Sequence, residues 1–328
     1  MKRREFITLL TGTAIAGPRV AIAQPASKIY RVGTLSPGAP LDEKSPLALI
    51  LLQVLEKHGY TRGKNLEVES RGAGGQMNKL GGIVREMKAN QVDVIVGGGF
   101  PTALACKVAN VPTVIYLGAG DPVATHLIDS LAHPGGSITG ISDNATTLAT
   151  KRLSLIKQAV PRVTKVAMLW NRDDLGMSMR YEASANAARS LGTTVQALGV
   201  REPDDFKGVF EAMDREPPDA IFMVADGLTT LNRKRVIDYA AMHHIPAMYE
   251  YDVPNVTDGG LMSYGPDVKE CMASAAELAA RILGGARPAD LPFEEPTRYK
   301  LVINLKTAKA TDITLPENFV ALADEVIE

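Results

Sequence analysis

From residue 29 onward, short apolar runs rich in Val and Ile alternate with segments whose apolar positions recur at helical spacing. The first stretch predicts strands near Arg31–Leu35, Asn65–Glu69, Val92–Gly97 and Pro112–Leu117, with helices near Pro46–His58, Met77–Ala89 and Pro101–Val108. The second repeats the plan. Strands are expected near Lys165–Trp170, Thr194–Leu198, Ala220–Val224 and Pro246–Glu250, with helices near Ser178–Leu191, Asp204–Asp214 and Thr229–His243. Runs such as Val92-Asp93-Val94-Ile95-Val96 are apolar on successive residues, as in parallel strands covered on both faces. Strand–helix alternation predicts an α/β fold with two doubly wound parallel-sheet lobes.

The stretch Thr139–Asp143 joins the halves and leads into a helix over Thr147–Val160. Downstream, Gly259–Gly265 reads as a strand and Val268–Leu283 as a helix. Pro296–Leu305 reads as extended, and Leu305–Lys309 and Glu317–Ile327 as short helices. The tail has too few elements for a third domain, so it is expected to complete the two sheets. The expected division is 29–139 plus about 262–295 for one lobe, and 140–261 plus about 296–328 for the other. Several crossings between lobes make a hinge, and a hinge makes a cleft that can close.

The first residues follow a different pattern. Lys2-Arg3-Arg4 precedes a modest apolar stretch from Phe6 to Gly17, followed by small residues at Ala21 and Ala23. This is the plan of a signal peptide over residues 1–23. Arg3-Arg4-Glu5-Phe6-Ile7 also fits a twin-arginine signal, so export to the periplasm is expected. No Cys stands at the cleavage point to carry a lipid, and no run of 18 apolar residues offers a stable membrane anchor.

Composition then narrows the function. The 328 residues are 45% hydrophobic and 22% charged, ordinary for a globular chain of about two domains. Lys2, Arg3, Arg4, Arg19 and Glu5 leave with the signal, which shifts the net charge from −1 to −4. Such a balance argues against a nucleic-acid partner. Cys106 and Cys271 lie in helical patterns and read as buried thiols or, in an oxidising compartment, as one disulfide. The chain lacks a Gly-x-Ser-x-Gly elbow, a phosphate-binding Gly-x-x-x-x-Gly-Lys-Ser/Thr loop and a complete Gly-x-Gly-x-x-Gly. His243-His244 are adjacent and do not share a helical face, so no metal site is expected. No catalytic residue, metal or cofactor is assigned.

Ligands of open α/β sheets bind beyond the carboxyl ends of the strands. Small residues dominate those ends in the first half, including Ser36 and Gly97-Gly98-Gly99-Phe100-Pro101-Thr102. The glycines allow close backbone approach, and a helix start with free N–H groups suits an anion. The same turn can equally serve only to join strand to helix. Asp226 ends an apolar strand, where it either pairs with a ligand ammonium or caps the helix near Thr229. Asn171 stands between ligand contact and capping, and Asp121 between ligand contact and holding a turn. Phe100, Trp170, Tyr249, Tyr251 and Tyr264 lie near strand ends, and Phe100 and Tyr249 are the favoured ligand platforms.

Arg31–Gly38, Asp93–Gly99, Gly120–Val123, Pro134–Gly140, Val166–Asn171, Gly259–Gly265 and Leu301–Lys309 occur as an ordered set. Together they resemble the ABC-transporter substrate-binding family of the tryptophan/tyrosine transport-system type, from about residue 29 to the C-terminus. The resemblance implies a type I periplasmic binding protein fold, a small-molecule ligand such as an aromatic amino acid, and ABC transporter permease and ATPase partners. It places Ser36, Gly98, Gly99, Phe100, Thr102 and Asp121 on the first-lobe side of the site, and Asn171, Asp226 and Tyr249 on the second. Phe100 departs from the small polar residue common there, and Asp226 is followed by Gly227-Leu228. A sensor subunit presenting ligand to a membrane receptor, and an exported α/β enzyme, are the alternative functions.

Overall fold

The computed structural model describes residues 28–328. The signal expected over residues 1–23 lies outside the described residues. The first lobe is built on β1 (Tyr30–Ser36), α1 (Pro46–Lys57), β2 (Leu66–Gly72), α2 (Leu80–Ala89), β3 (Val94–Gly98), α3 (Phe100–Ala109), β4 (Thr113–Leu117) and β5 (Ile138–Gly140). Its strands form a five-stranded sheet in the order β2-β1-β3-β4-β5, with every pair parallel. All of β3 is buried, as expected of an apolar strand covered on both faces.

The chain then crosses to α4 (Ala149–Ala159), β6 (Lys165–Asn171), α5 (Leu175–Ser190), β7 (Thr194–Val200), α6 (Asp205–Arg215) and β8 (Ala220–Met223). It continues through α7 (Gly227–Leu231), α8 (Arg233–Met242), β9 (Ala247–Tyr249) and β10 (Met262–Pro266). The last elements are α9 (Val268–Leu283), β11 (Tyr299–Asn304), α10 (Leu305–Ala310), α11 (Glu317–Val320) and β12 (Glu325–Ile327). The second sheet runs β12-β11-β10-β9-β8-β6-β7 and is parallel except between β10 and β11.

Three connections join the sheets. The first follows Gly140. The second follows Pro266, because α9 packs on the first lobe: Met272, Ala275 and Ala279 share a core with Val32, Leu51 and Val94. The third returns through residues 291–299 and runs beside the first, with Ile141 and Glu294 bridged in parallel. The second crossing falls later than the expected boundary at 262. Met262 and Ser263 pair with Met248 and Tyr249, which holds β10 in the second sheet.

Local chemistry sets several other boundaries. The expected Thr229–His243 helix divides at Asn232, where the backbone leaves helical geometry at φ −96° and ψ 6°. The expected Ser178–Leu191 helix starts earlier, at Leu175, because the Asp174 side chain accepts from the Met177 amide as an N-cap. The expected Glu317–Ile327 helix keeps only its first turn. Glu325–Ile327 instead pairs in parallel with Val302–Asn304 and closes one sheet edge. Cys106 and Cys271 are free thiols buried in separate apolar clusters, and burial pushes them up to about 11 and about 12.

Candidate ligand cleft

Each sheet has a point where strand order reverses, between β1 and β3 in the first and between β6 and β8 in the second. Side chains just beyond these strands diverge and leave a crevice. The two crevices face each other around a cavity of about 600 Å³, well within the range of small-molecule sites. A smaller depression of about 250 Å³ lies at the amino ends of β1 and β2, against Arg31 and Glu67, away from the lobe interface.

The first-lobe wall comes from three strand ends. Leu35, Ser36, Pro37 and Gly38 follow β1, Gly98 and Gly99 close β3, and Tyr116 and Leu117 close β4. Gly97 pairs with Ile115 but Gly98 pairs with Leu117, so Tyr116 is an extra residue in a β-bulge. Bulges re-aim side chains, and this one sets the Tyr116 ring against Gly98. A Cβ on Gly98 would lie 3.1 Å from the Tyr116 hydroxyl. Ser36 Oγ accepts from the Gly38 amide at 3.0 Å, and Ser45 Oγ accepts from Ala48 at 3.2 Å. Both hydroxyls keep a hydrogen to donate.

The second-lobe wall carries the charge. Asp226 follows β8 and caps α7: Oδ1 accepts from the Thr229 amide at 2.7 Å and from its hydroxyl at 2.9 Å. Its Oδ2 accepts from Asn171 Nδ2 at 2.6 Å. Asp226 is therefore both helix cap and cavity lining. Asp174 lines the same wall and is 3% exposed, with the Met177 amide 3.3 Å from its Oδ1. Burial, then the neighbouring charge of Asp226, pushes Asp174 up to about 7. Burial also raises Asp226 above the ordinary carboxylate range, against its hydrogen bonds.

Behind this wall lies a buried ionic cluster. Arg180 of α5 donates to Glu250 at 2.8 Å and is ion-paired with Asp143 of the first crossing. Arg152 of α4 donates to Glu250 at 3.0 Å and to the Tyr264 carbonyl at 2.7 Å. Burial works against the Arg180 charge, but Asp143, Tyr251 and Glu250 hold it protonated. Glu250 Oε2 also accepts from the Ala225 amide at 3.0 Å, one residue before Asp226.

Of the expected site residues, Ser36, Gly98, Gly99 and Asp226 line the cavity. Asn171 stands behind Asp226 and orients it. Asp121 accepts from the Val123 and Ala124 amides at 3.1 and 2.9 Å, which ties its carboxylate to its own turn. Thr102 is 0% exposed, packed inside its helix start rather than on the cavity. Phe100 is also outside the cavity lining. It meets the second lobe, and a Cβ on Gly176 would lie 3.2 Å from its own Cβ. Tyr249 is in the core with Ile221, Met223 and Val236, so it is no ligand platform. Trp170 stacks on Tyr181 with centroids 3.7 Å apart. Tyr251 is the one strand-end aromatic of the expected five that lines the cavity.

Sequence reasoning missed Asp174, Tyr116, Arg152 and Arg180. The Asp173-Asp174 pair just past a strand end was a legible N-cap signal. The bulge at Tyr116 and the long-range pairing of the arginines have no local signature. Among the described residues there is no cluster of three potential metal ligands, and no helix long and apolar enough to cross a membrane.

Two α/β lobes, three crossings and a cavity between opposed strand ends define a two-lobed ligand-binding protein. The chain belongs to the ABC transporter substrate binding protein family, whose model matches residues 50–327. It is 25% identical over 264 residues to a tyrosine-binding protein of Clostridioides difficile, covering 80% of this chain and 75% of that one. A conserved domain protein of Vibrio cholerae superposes with a TM-score of 0.83 at 26% identity, covering 91% of this chain and 100% of that one. An ABC domain from Streptococcus pneumonia in complex with L-Trp superposes at 0.81 with 25% identity, covering 92% and 100%.

Proposed function

We propose that this protein is exported to the periplasm, binds an aromatic L-amino acid such as tryptophan or tyrosine between its lobes, and delivers it unchanged to an ABC permease and its ATPase. One observation carries the ligand class: Asp174 and Asp226 line a mostly apolar cavity, and neither hydrogen-bonds to a cationic side chain. A carboxylate wall attracts an ammonium group and repels a ligand that is only anionic. Leu35, Val96, Leu117, Met177 and the Tyr116 and Tyr251 rings offer apolar surface for a large side chain. The free hydrogens of Ser36 and Ser45 and the Tyr116 hydroxyl supply donors for the ligand carboxylate from the other lobe.

Family membership supports delivery to a transporter, and the relatives' ligands support the aromatic class. Closure follows from contacts on both walls, since only a ligand that binds the closed form better shifts the equilibrium toward it. Calorimetry with tryptophan, tyrosine and their deaminated acids tests the reading. The amino acids should bind and the acids should not. Equal affinity for indole-propionate and tryptophan would sink the ammonium assignment.

A further inference from the structure

Two kinds of carboxylate surround the cleft. Asp143 and Glu250 are buried and both touch guanidinium groups. Asp174 and Asp226 stand on the cavity wall beyond the paired strands β6 and β8, and their hydrogen-bond donors are neutral. Asp174 has the Met177 amide, while Asp226 has the Thr229 amide and hydroxyl and the Asn171 amide group.

The surrounding charges leave this pair uncompensated. On α5 itself, Arg180 is committed to Asp143 and Glu250, although its charge acts weakly on Asp174. Asp173 is ion-paired with Arg201 at 3.0 Å. Across the cleft, the loop packed on Gly176 carries Asp121, whose carboxylate is tied to its own turn, and α3 contributes the uncharged Phe100. Farther along the cavity, Arg233 is paired with Asp258 at 2.6 Å, and Asp42 accepts from the Lys44 amide at 2.8 Å. Two like charges buried on one cavity wall without a cation cost more than retaining one proton.

We infer that Asp174 and Asp226 hold one proton between them in the ligand-free protein and release it to solvent when a ligand ammonium binds, so that capture is coupled to proton loss. The inference rests on the ammonium reading proposed above and adds its regulation. The balance is simple: a carboxylic acid and an ammonium ion become a carboxylate–ammonium pair, and one proton passes to the buffer. The raised titration of both groups agrees with this, with Asp174 the higher at about 7. Asp174 is the better seat for the proton, because the Asp226 oxygens already accept three hydrogen bonds and Asp174 accepts one. Affinity then rises with pH up to about 7 and levels off above it, because acid competes with the ligand for the same carboxylates. The cleft of this chain thus becomes a sensor of external acidity, holding ligand less tightly as the medium acidifies.

The experiment has three arms. L-tryptophan is titrated into the intact protein by calorimetry at pH 6 in two buffers of different ionisation enthalpy. The expected result is a buffer-dependent enthalpy equivalent to release of roughly half to one proton, with affinity falling roughly tenfold or more between pH 7.5 and 5.5. In Asp174→Asn, binding is expected to weaken several-fold at pH 7.5 and to lose its pH dependence between 5.5 and 7.5. Carboxyl carbon NMR of the ligand-free protein reads the pair without any ligand. An aspartate titrating above pH 6 is expected, and it should be absent from Asp174→Asn. Should that variant not fold, Asp226→Asn serves in its place, because it should lower the remaining titration. If no carboxyl titrates above pH 6, the shared proton is overturned. If tryptophan binds with no buffer dependence, the coupling fails and the ammonium reading stands. A carboxyl titrating as expected without binding of any amino acid overturns the ammonium reading and the coupling with it.

Discussion

The hydroxyl of Tyr251 donates to Asp143 at 2.6 Å, joining a residue of the cavity wall to the first crossing between the lobes. Arg180 touches both, as an ion pair to Asp143 and through a donor 3.2 Å from the Tyr251 oxygen. The cavity wall is thus fastened to the first crossing between the lobes.

Removing the centre of this cluster should be costly. Arg180→Met leaves Asp143 and Glu250 buried with less compensation, and should lower unfolding free energy by about 3–5 kcal/mol. Tyr251→Phe deletes one hydrogen bond to a carboxylate and should cost about 1–3 kcal/mol. Urea titrations measure both, and an Arg180→Met chain as stable as the parent would refute the role assigned to the cluster.

Asp226 should be tested with asparagine before alanine. Alanine removes the cap of α7 as well as the charge, at about 0.5–2 kcal/mol of stability. Asparagine keeps a capping oxygen and removes only the charge, so Asp226→Asn should fold normally and bind amino acids roughly 10- to 100-fold more weakly. Calorimetry alongside thermal melts separates the two effects.

Stability should also depend on pH through Asp174. Its folded-state titration near 7 lies above the ordinary value of 3.8, so the folded chain binds more protons across that window. Stability is therefore lost as pH rises from about 4 to 7, and the penalty stays constant above that. Asp174→Asn escapes it while keeping an N-cap. The variant should be more stable than the parent by about 2–4 kcal/mol at pH 8, with the difference vanishing near pH 4. A constant difference across that range would contradict the assignment.

The approach of the two lobes can be tested at a glycine. A Cβ on Gly227 would lie 2.7 Å from Pro37 Cβ and 3.0 Å from the Pro37 carbonyl carbon, across the lobe interface. Gly227→Ala should force the lobes apart at this contact and weaken binding about tenfold or more. Small-angle scattering with saturating ligand should show a larger radius than the parent under the same conditions.

Much of the fold was legible because its signals are local. Val94–Gly98 is apolar on consecutive residues and ends in glycine, which suffices to read a covered strand and a tight turn. Ser36, Gly98, Gly99 and Asp226 followed from the same logic of strand ends. The errors arose where tertiary partners decide. Tyr249 sits at a strand end, but its ring turns toward the core under α8, and burial raises its hydroxyl well above the ordinary range. Asp143 and Arg180 lie 37 positions apart, and nothing in either neighbourhood announces the other. The final β12 has no legible strand pattern, because three residues are too few to show a period of two.

The lobes meet through uncharged surfaces: Gly120 against Gly176, Phe100 beside Gly176, and Gly227 against Pro37. Among the described residues, each ion pair lies within one lobe or at a crossing, and none clasps the two lobes together across the cleft. Electrolyte therefore has little to screen in the act of closing. Any electrolyte dependence of binding is therefore expected to come from the charged ends of the ligand and not from the contact between the lobes.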